Sequence, residues 1–532
     1  MEYVRKAIGC LALLAAIVTG AAQNTGYYGP LLDESTGWPA KCLAVHAVHM
    51  PGGNVLLFGL REYDPPGQGL AFTRLYVRNS FTGQFLTEPY LDAWKVSGVH
   101  LFCAGHAILP DGKVLIAGGT IGTDIGITDT YLFDPVSLTI SHAGWLSQAR
   151  YYPSLVTLQN GNVAAVSGWQ SDGNWSQLVE IRDTATGAWT AFDPVNSGSL
   201  QPHYYPFLFS MYNEDNASQP RVFMAGKSLT NPSDMRTTTL SIFGPNSGEW
   251  RLFGGSSTPV QGSEAVILIG RTAPTLETPL VPDDKGVVYK FGGSLGSSDV
   301  TNAVRVIDLN SSDPRWLEAP AMQTARANCN AVILPTGDIA IVAGSSEQHL
   351  LQTYGSRIPT VEIYRPGVGP VAITPPDMAR SRMYHSIAIL LPDGSVLIAG
   401  GQYKELVNGQ WVSRSEFSGQ IYYPPYFQEP SMRPTISGTS SLTMPYGPTN
   451  TFTVYTDQAN AIEKVTMIRL SATTHNADMN ERFINLSIKD RTANSIELHP
   501  PVHPSIAPPG DYMLFIVTTQ GVPSVAQYVK LQ

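Results

Sequence analysis

A hairpin pattern that returns along most of the chain sets the limits on what it can fold into. Its clearest copy runs from Ile387 to Gly401: two apolar runs are joined by Pro392-Asp393-Gly394 and stopped by Gly400-Gly401. Counting the first residue of each second strand gives Val55, Val114, Val163, Val222, Val287, Ile339 and Val396, with gaps of 59, 49, 59, 65, 52 and 57 residues. The copies at Val222 and Val287 are degenerate and lack the proline turn. Each copy is followed by a further apolar run, and often by an aromatic, as in Val179-Glu180-Ile181 before Trp189. A period near 50 residues with a Gly-Gly mark is the signature of kelch-type propeller blades. Four strands in each of seven units predict an all-β chain built as a seven-bladed kelch-type β-propeller. Tyr27 to Leu32 is expected to add a strand to the last blade and close the ring.

From about Arg433 the spacing changes. Short runs recur at Pro434–Ile436, Thr451–Tyr455, Val465–Leu470, Arg482–Ile488, Ser495–Leu498, Tyr512–Thr518 and Ala526–Leu531. They predict a C-terminal immunoglobulin-like β-sandwich. The N-terminus reads as a secretory signal, since Arg5 and Lys6 precede an apolar run to Val18 and Gly20-Ala21-Ala22 offers a cleavage site. The expected organisation is a signal over 1–22, the propeller over 23–430 and the sandwich over 431–532.

That route implies a secreted, extracellular protein with no membrane attachment after cleavage. Sequons at Asn174, Asn216, Asn310 and Asn485 agree with it. A net charge of −9 argues against nucleic acid or an anionic membrane as partner. A monomer is expected. Signal removal takes Cys10 and leaves Cys42, Cys103 and Cys329, an odd number of thiols in an oxidising compartment. Cys42 and Cys329 fall in non-adjacent blades and are not expected to pair.

Equivalent positions of a propeller's inner strands face one another across the channel. Eleven residues before Val114, Val163 and Val396 stand Cys103, Tyr152 and His385, with Tyr384 beside the last. A polar loop of the sandwich, Thr473 to Asn480, adds His475, the residue placed to reach another domain. Two imidazoles and two phenols suit a borderline cation, and a tetragonal N,O set points to Cu(II). A zinc site more usually takes carboxylate or several cysteines, and a blue-copper centre needs two His and a Cys. His46 and His49 are an odd number of residues apart in a strand, hence on opposite faces, and read as core.

At these residues the chain resembles the copper radical oxidases, the family of galactose oxidase and glyoxal oxidase. The resemblance rests on Phe102-Cys103-Ala104-Gly105, Ala149-Arg150-Tyr151-Tyr152, Arg382-Met383-Tyr384-His385-Ser386 and Thr474-His475, and spans nearly all the mature chain. It implies one copper ion held by Tyr152, Tyr384, His385 and His475, and a thioether joining Cys103 to the Tyr152 ring. It also implies that the second oxidising equivalent is stored as a radical on Tyr152, that Tyr384 acts as the base, and that dioxygen leaves as hydrogen peroxide. The partners implied are dioxygen and a small aldehyde or primary alcohol. In galactose oxidase a Trp covers the thioether sulfur; the equivalent place here is Gln170, with Trp169 one residue earlier and Trp38 as another candidate. That departure, with no sugar-binding domain ahead of the propeller, tilts the expectation towards glyoxal-type aldehydes. Arg150, Tyr151 and Arg326 are expected near the channel mouth, in reach of substrate. The competing readings are a catalytically silent kelch-type module that binds a glycan or protein, and a structural wall protein.

Overall fold

The structure is a computed structural model. It describes residues 25–532 except 40–41, 60–72, 87–90, 93–100, 121–124, 177, 193–203, 212–219, 226–235, 242–249, 257–263, 270–285, 296–298 and 348–351. The expected signal at 1–22 and the sequon at Asn216 therefore lie outside the described residues. Strand dominates: among the described residues helix occurs as short 3-10 segments, and no helix is long and apolar enough to cross a membrane.

Antiparallel four-stranded sheets repeat along the chain, each opening with the hairpin read from the sequence. One orders Gly105–Ile108, Val114–Ala117, Ile127–Asp134 and Thr139–Arg150; the next orders Ser154–Thr157, Val163–Val166, Val179–Arg182 and Trp189–Phe192. The first two strands of each are buried along their whole length, whereas Trp189–Phe192 is half in water. This gradient is why the leading runs are continuously apolar while the outer ones are not. Tyr27–Leu32 pairs antiparallel with Gly419–Tyr423, so a segment from the start of the chain completes the sheet of Ser386–Leu390 and Val396–Gly400. The architecture is a β-propeller followed by a β domain, the arrangement shared with a solved structure described below.

The glycine pairs have a steric reason. A Cβ on Gly118 would strike the Arg150 carbonyl, and one on Gly292 the Arg326 carbonyl; both glycines have positive φ, 72° and 58°. At these two places the second strand ends where the backbone entering the next sheet passes, which favours hydrogen; Ser167 and Ala343 hold the same left-handed position in other units.

In the C-terminal part the expected runs form strands, except Pro434–Ile436, which is not in one. This part is sewn to the propeller by backbone. Ala472–Thr474 pairs antiparallel with His46–His49, placing Thr474 opposite His46, and Phe483–Arg491 pairs parallel with Glu264–Ile269. Leu470 and Ala472 share one core with Leu56, Ile108, Val332 and Leu390. The hairpin of Ala472–Thr474 and Ala477–Asp478 is thus a finger set among the inner strands, with His475 at its turn.

A further sheet lies outside the four-stranded pattern: Gln352–Thr353, Gln402–Val407 and Gln410–Ser415. The thiols of Cys42, Cys103 and Cys329 are all buried and free of disulfides. Asn174 and Asn310 sit in exposed turns, whereas Asn485 lies within a strand paired on both sides, its amide oxygen buried.

Candidate metal centre

Cys103, Tyr152 and His385 each stand one or two residues ahead of an inner strand, and each has left-handed backbone, with φ of 55°, 65° and 64°. His475 at the finger's turn has φ 50°. For non-glycine residues this conformation costs roughly 1–2 kcal/mol each, and such strain gathers where side chains must be aimed. Here the corner turns each side chain away from the sheet and towards its neighbours.

The groups meet. Tyr152 and Tyr384 hydroxyls are 3.0 Å apart. One ligand atom from each of Cys103, His385 and His475 lies within 4.8 Å of the other two. Cys103 Sγ is 3.3 Å from His475 Nε2. The Tyr152 amide donates to the Cys103 carbonyl at 2.9 Å, and the Tyr152 ring packs on the cluster that holds the sulfur. The His385 and His475 rings are 4.4 Å apart and perpendicular. Tyr152, Tyr384 and His475 are half-buried, so the cluster is open on one side.

Hydrogen bonds fix both imidazole tautomers. Thr474 Oγ1 donates to the Val45 carbonyl at 2.9 Å and therefore accepts from His475 Nδ1–H at 2.7 Å. His385 Nδ1–H donates to Gln402 Oε1, whose own amide is oriented by donating to Ser415 Oγ at 2.9 Å. Each ring thus presents an unprotonated Nε2 to the cluster, that of His475 facing Cys103 Sγ, the arrangement that outer-shell partners give metal-bound histidines. His385 Nε2 is buried and has no hydrogen-bond partner. Burial holds His385 down to about 4, and burial with neighbouring imidazoles holds His475 well below the usual histidine range, so both are neutral at pH 7. Burial first, then Cys103 and Tyr384, pushes the Tyr152 phenol well above its ordinary value. Without a cation beside it the phenolate does not form; a bound metal would reverse that. Two neutral imidazoles and two phenols, one nitrogen orphaned, fit a copper ion.

The other sequence-derived contacts fare differently. Arg150 and Arg326 are corrected: both are 0% exposed and belong to the architecture. Arg150 donates to Glu180 Oε1 and the Leu178 carbonyl, each at 2.8 Å, and to the Ser167 carbonyl at 2.6 Å. Arg326 repeats this with Glu362 at 2.8 Å and the carbonyls of Thr360 and Ala343. Arg382 repeats it again with the carbonyls of Ser418 and Gly400. Arg150 also donates through Nε to Glu180, and the Nε left over in Arg326 and Arg382 is buried, so none of the three guanidiniums offers a donor to a substrate. Trp38 is also corrected, being buried against Cys42 and Phe85 in a separate core. Gln170 turns into its own loop and donates to the Trp175 carbonyl. Trp169 does pack on the Cys103–Tyr151 cluster, and exchanges both backbone hydrogen bonds with Tyr151.

Sequence reasoning missed several neighbours. Tyr205, at φ 44°, stands 5.1 Å ring to ring from Tyr152 and 4.9 Å from His475; Tyr204, 39% exposed, is 4.8 Å from Tyr152 and 4.4 Å from Trp175. The signal was present, because Tyr204-Tyr205-Pro206 repeats Tyr151-Tyr152-Pro153 one unit on. Gln402 carried no signal of its own, since its value depends on the His385 ring brought to it from just ahead of an earlier strand.

Comparison with known proteins agrees with this geometry. Residues 433–531 match the family model of the galactose oxidase-like early set domain, and residues 295–426 match that of the glyoxal oxidase N-terminus. The chain is 26% identical over 536 residues to a galactose oxidase of Gibberella zeae, covering 97% of this chain and 72% of that one. It is 32% identical over 245 residues to the aldehyde oxidase GLOX1 of Arabidopsis thaliana, covering 42% of this chain and 38% of that one. A solved fungal alcohol oxidase in complex with copper matches in fold, with TM-score 0.74 over 96% of this chain and 100% of that one, at 23% identity.

Proposed function

We propose that this chain, a copper oxidase of the galactose oxidase and glyoxal oxidase family, is a secreted enzyme that oxidises small aldehydes or primary alcohols with dioxygen and yields hydrogen peroxide. In this reading residues 1–22 are a signal, 23–430 a seven-bladed kelch-type propeller, and 431–532 an immunoglobulin-like sandwich that lends His475 to the site. The observation that carries it is the approach of Cys103, Tyr152, Tyr384, His385 and His475, from four distant stretches, to one point with both Nε2 atoms unprotonated.

Copper would be held by Nε2 of His385 and His475 and by the phenol oxygens of Tyr152 and Tyr384. Copper bound there supplies one-electron redox chemistry, whereas taking an alcohol or a hydrated aldehyde to its product removes two electrons. The second store is Tyr152, joined through its ring to Cys103 sulfur, which lowers the cost of oxidising the phenol. In forming that link the Cys103 S–H and a Tyr152 ring C–H break and one S–C bond forms. Two protons and two electrons pass to dioxygen, giving hydrogen peroxide. Tyr384 takes the substrate hydroxyl proton. Tyr204, Trp175 and Trp169 form a chain of aromatic rings beside Tyr152.

A second reading keeps Cys103 as a direct metal ligand, favoured by its 3.3 Å approach to His475 Nε2. Intact-mass measurement after copper and air separates the two. The thioether removes two hydrogens, and Cys103→Ser abolishes the loss. Direct ligation leaves the mass unchanged. A peroxide-release screen across glyoxal-type aldehydes, primary alcohols and galactose then tests the substrate class, and silence on all of them would favour the binding-module reading.

A further inference from the structure

The strand His46–His49 touches both halves of the site, and neither contact is explained by packing alone. On one side Val45, just ahead of it, accepts from Thr474 and so sets the His475 tautomer. On the other, the Cys103 amide donates to His46 Nε2 at 3.1 Å. The His46 ring is 0% exposed, stacked flat on Phe58 at 4.4 Å and 4°, and met edge-on by His106 at 5.3 Å. Its orientation is therefore fixed before Cys103 arrives.

Why an imidazole should stand there follows from the corner itself. At φ 55° Cys103 stands ahead of the paired register that begins at Gly105, and its N–H donates to His46 Nε2. A buried amide without an acceptor opposes the conformation that needs it. His46 Nε2 supplies the acceptor from outside the sheet. We propose that His46 is a positioning residue for the Cys103–Tyr152 cross-link. By accepting the Cys103 amide it holds the left-handed corner, and with it the sulfur, against the Tyr152 ring. The inference rests on the thioether reading given above. The bond it serves is the one already balanced, with S–H and ring C–H broken, S–C formed, and two electrons and two protons delivered to dioxygen.

The experiment follows the rate of the two-hydrogen mass loss after copper and air are added to the full-length, copper-free protein. Thermal stability and copper uptake are measured alongside. His46→Phe keeps a flat ring on Phe58 but cannot accept; His46→Gln places an amide oxygen near the lost Nε2. Misplacing a reacting atom by a fraction of an ångström to one ångström costs on the order of ten- to a hundred-fold in rate. The expected result is therefore cross-linking slowed at least about ten-fold in His46→Phe, and His46→Gln within about three-fold of wild type. Copper uptake should be alike in all three. If the phenylalanine variant does not fold, His46→Leu against His46→Gln makes the same comparison.

Cross-linking at the wild-type rate in the non-accepting variant would overturn the proposal. So would equal slowing in the glutamine variant, since the ring's bulk rather than its acceptor would then matter. If the wild-type protein itself loses no hydrogens, the thioether reading falls first and this inference with it, and that outcome is visible in the control alone.

Discussion

Two rows of residues lead into the inner strands, and they differ in a telling way. Eleven residues before the markers Val114, Val163, Ile339 and Val396 stand Cys103, Tyr152, Asn328 and His385, with φ of 55°, 65°, 53° and 64°. A turn earlier stand Arg150, Arg326 and Arg382, each buried and clamped to carbonyls at the ends of the second strand and the start of the third. The first row keeps one backbone shape and changes its side chain from unit to unit. The second keeps its side chain. A repeated residue marks what these three units share in order to stand beside the next. A repeated conformation with a changing residue marks a place where units have been given separate chemical tasks. Asn328 shows that the corner needs no task to exist, and Asn is the residue type that tolerates left-handed backbone best after glycine.

The comparison can be broken by experiment. Cys103→Ser should cost about 10³-fold or more in oxidase turnover, as removal of a member of a concerted set does. Compared with wild type not yet exposed to copper, and so not cross-linked, its unfolding free energy should stay within about 1 kcal/mol. Loss of stability with turnover intact would put Cys103 in the architectural row.

Glu180→Gln or Glu362→Gln strands a buried guanidinium and should cost about 3–5 kcal/mol in urea unfolding. KM of the folded protein should not change. A raised KM at unchanged stability would return Arg150 or Arg326 to the substrate.

Copper should raise the unfolding free energy of the wild type by about 2.7 kcal/mol at a hundred-fold excess over Kd. His475→Ala should lose that increment, while the Glu180 variant should keep it from a lower baseline. Calorimetry with and without chelator reads both.

Gln402→Ala frees the His385 ring to rotate and should weaken copper binding about 10- to 100-fold, measured by competition with a chelator. Smallest of all, Asn328→Ala should cost about 1 kcal/mol from the left-handed corner, and Asn328→Gly almost nothing. Neither should alter turnover, and a fall in it would give the corner of that unit a chemical task too.

Much of the site could be read from spacing. The interval of eleven aligned Cys103, Tyr152 and His385 because the hairpin is a rigid ruler: its strands rise by a fixed amount per residue and its turn is fixed by Pro and Gly. The same ruler would have exposed the arginines, had their recurrence two residues before Tyr152 and Asn328, and three before His385, been weighed as a repeat. It would have found Tyr205 too, through the doubled Tyr-Tyr-Pro. Trp38 was misplaced because an aromatic near a predicted loop gives no hint of the core it enters. Gln402 illustrates a harder limit. It follows the Gly400-Gly401 pair directly and roots an extra sheet, but its residue type does not tell that the His385 ring will meet its amide oxygen.

The sequence by itself determined the repeating hairpins, the change of pattern near Arg433 and the residue types gathered for a metal, because these depend on local periodicity and on chemistry carried by single side chains. Only the tertiary structure decided which nitrogen each histidine offers, that His46 holds the Cys103 amide, and that the arginines are locked away from substrate. Those are properties of pairs separated by tens to hundreds of residues. A hydrogen bond between such partners exists only after closure of the ring has set the distance, and no local pattern encodes it.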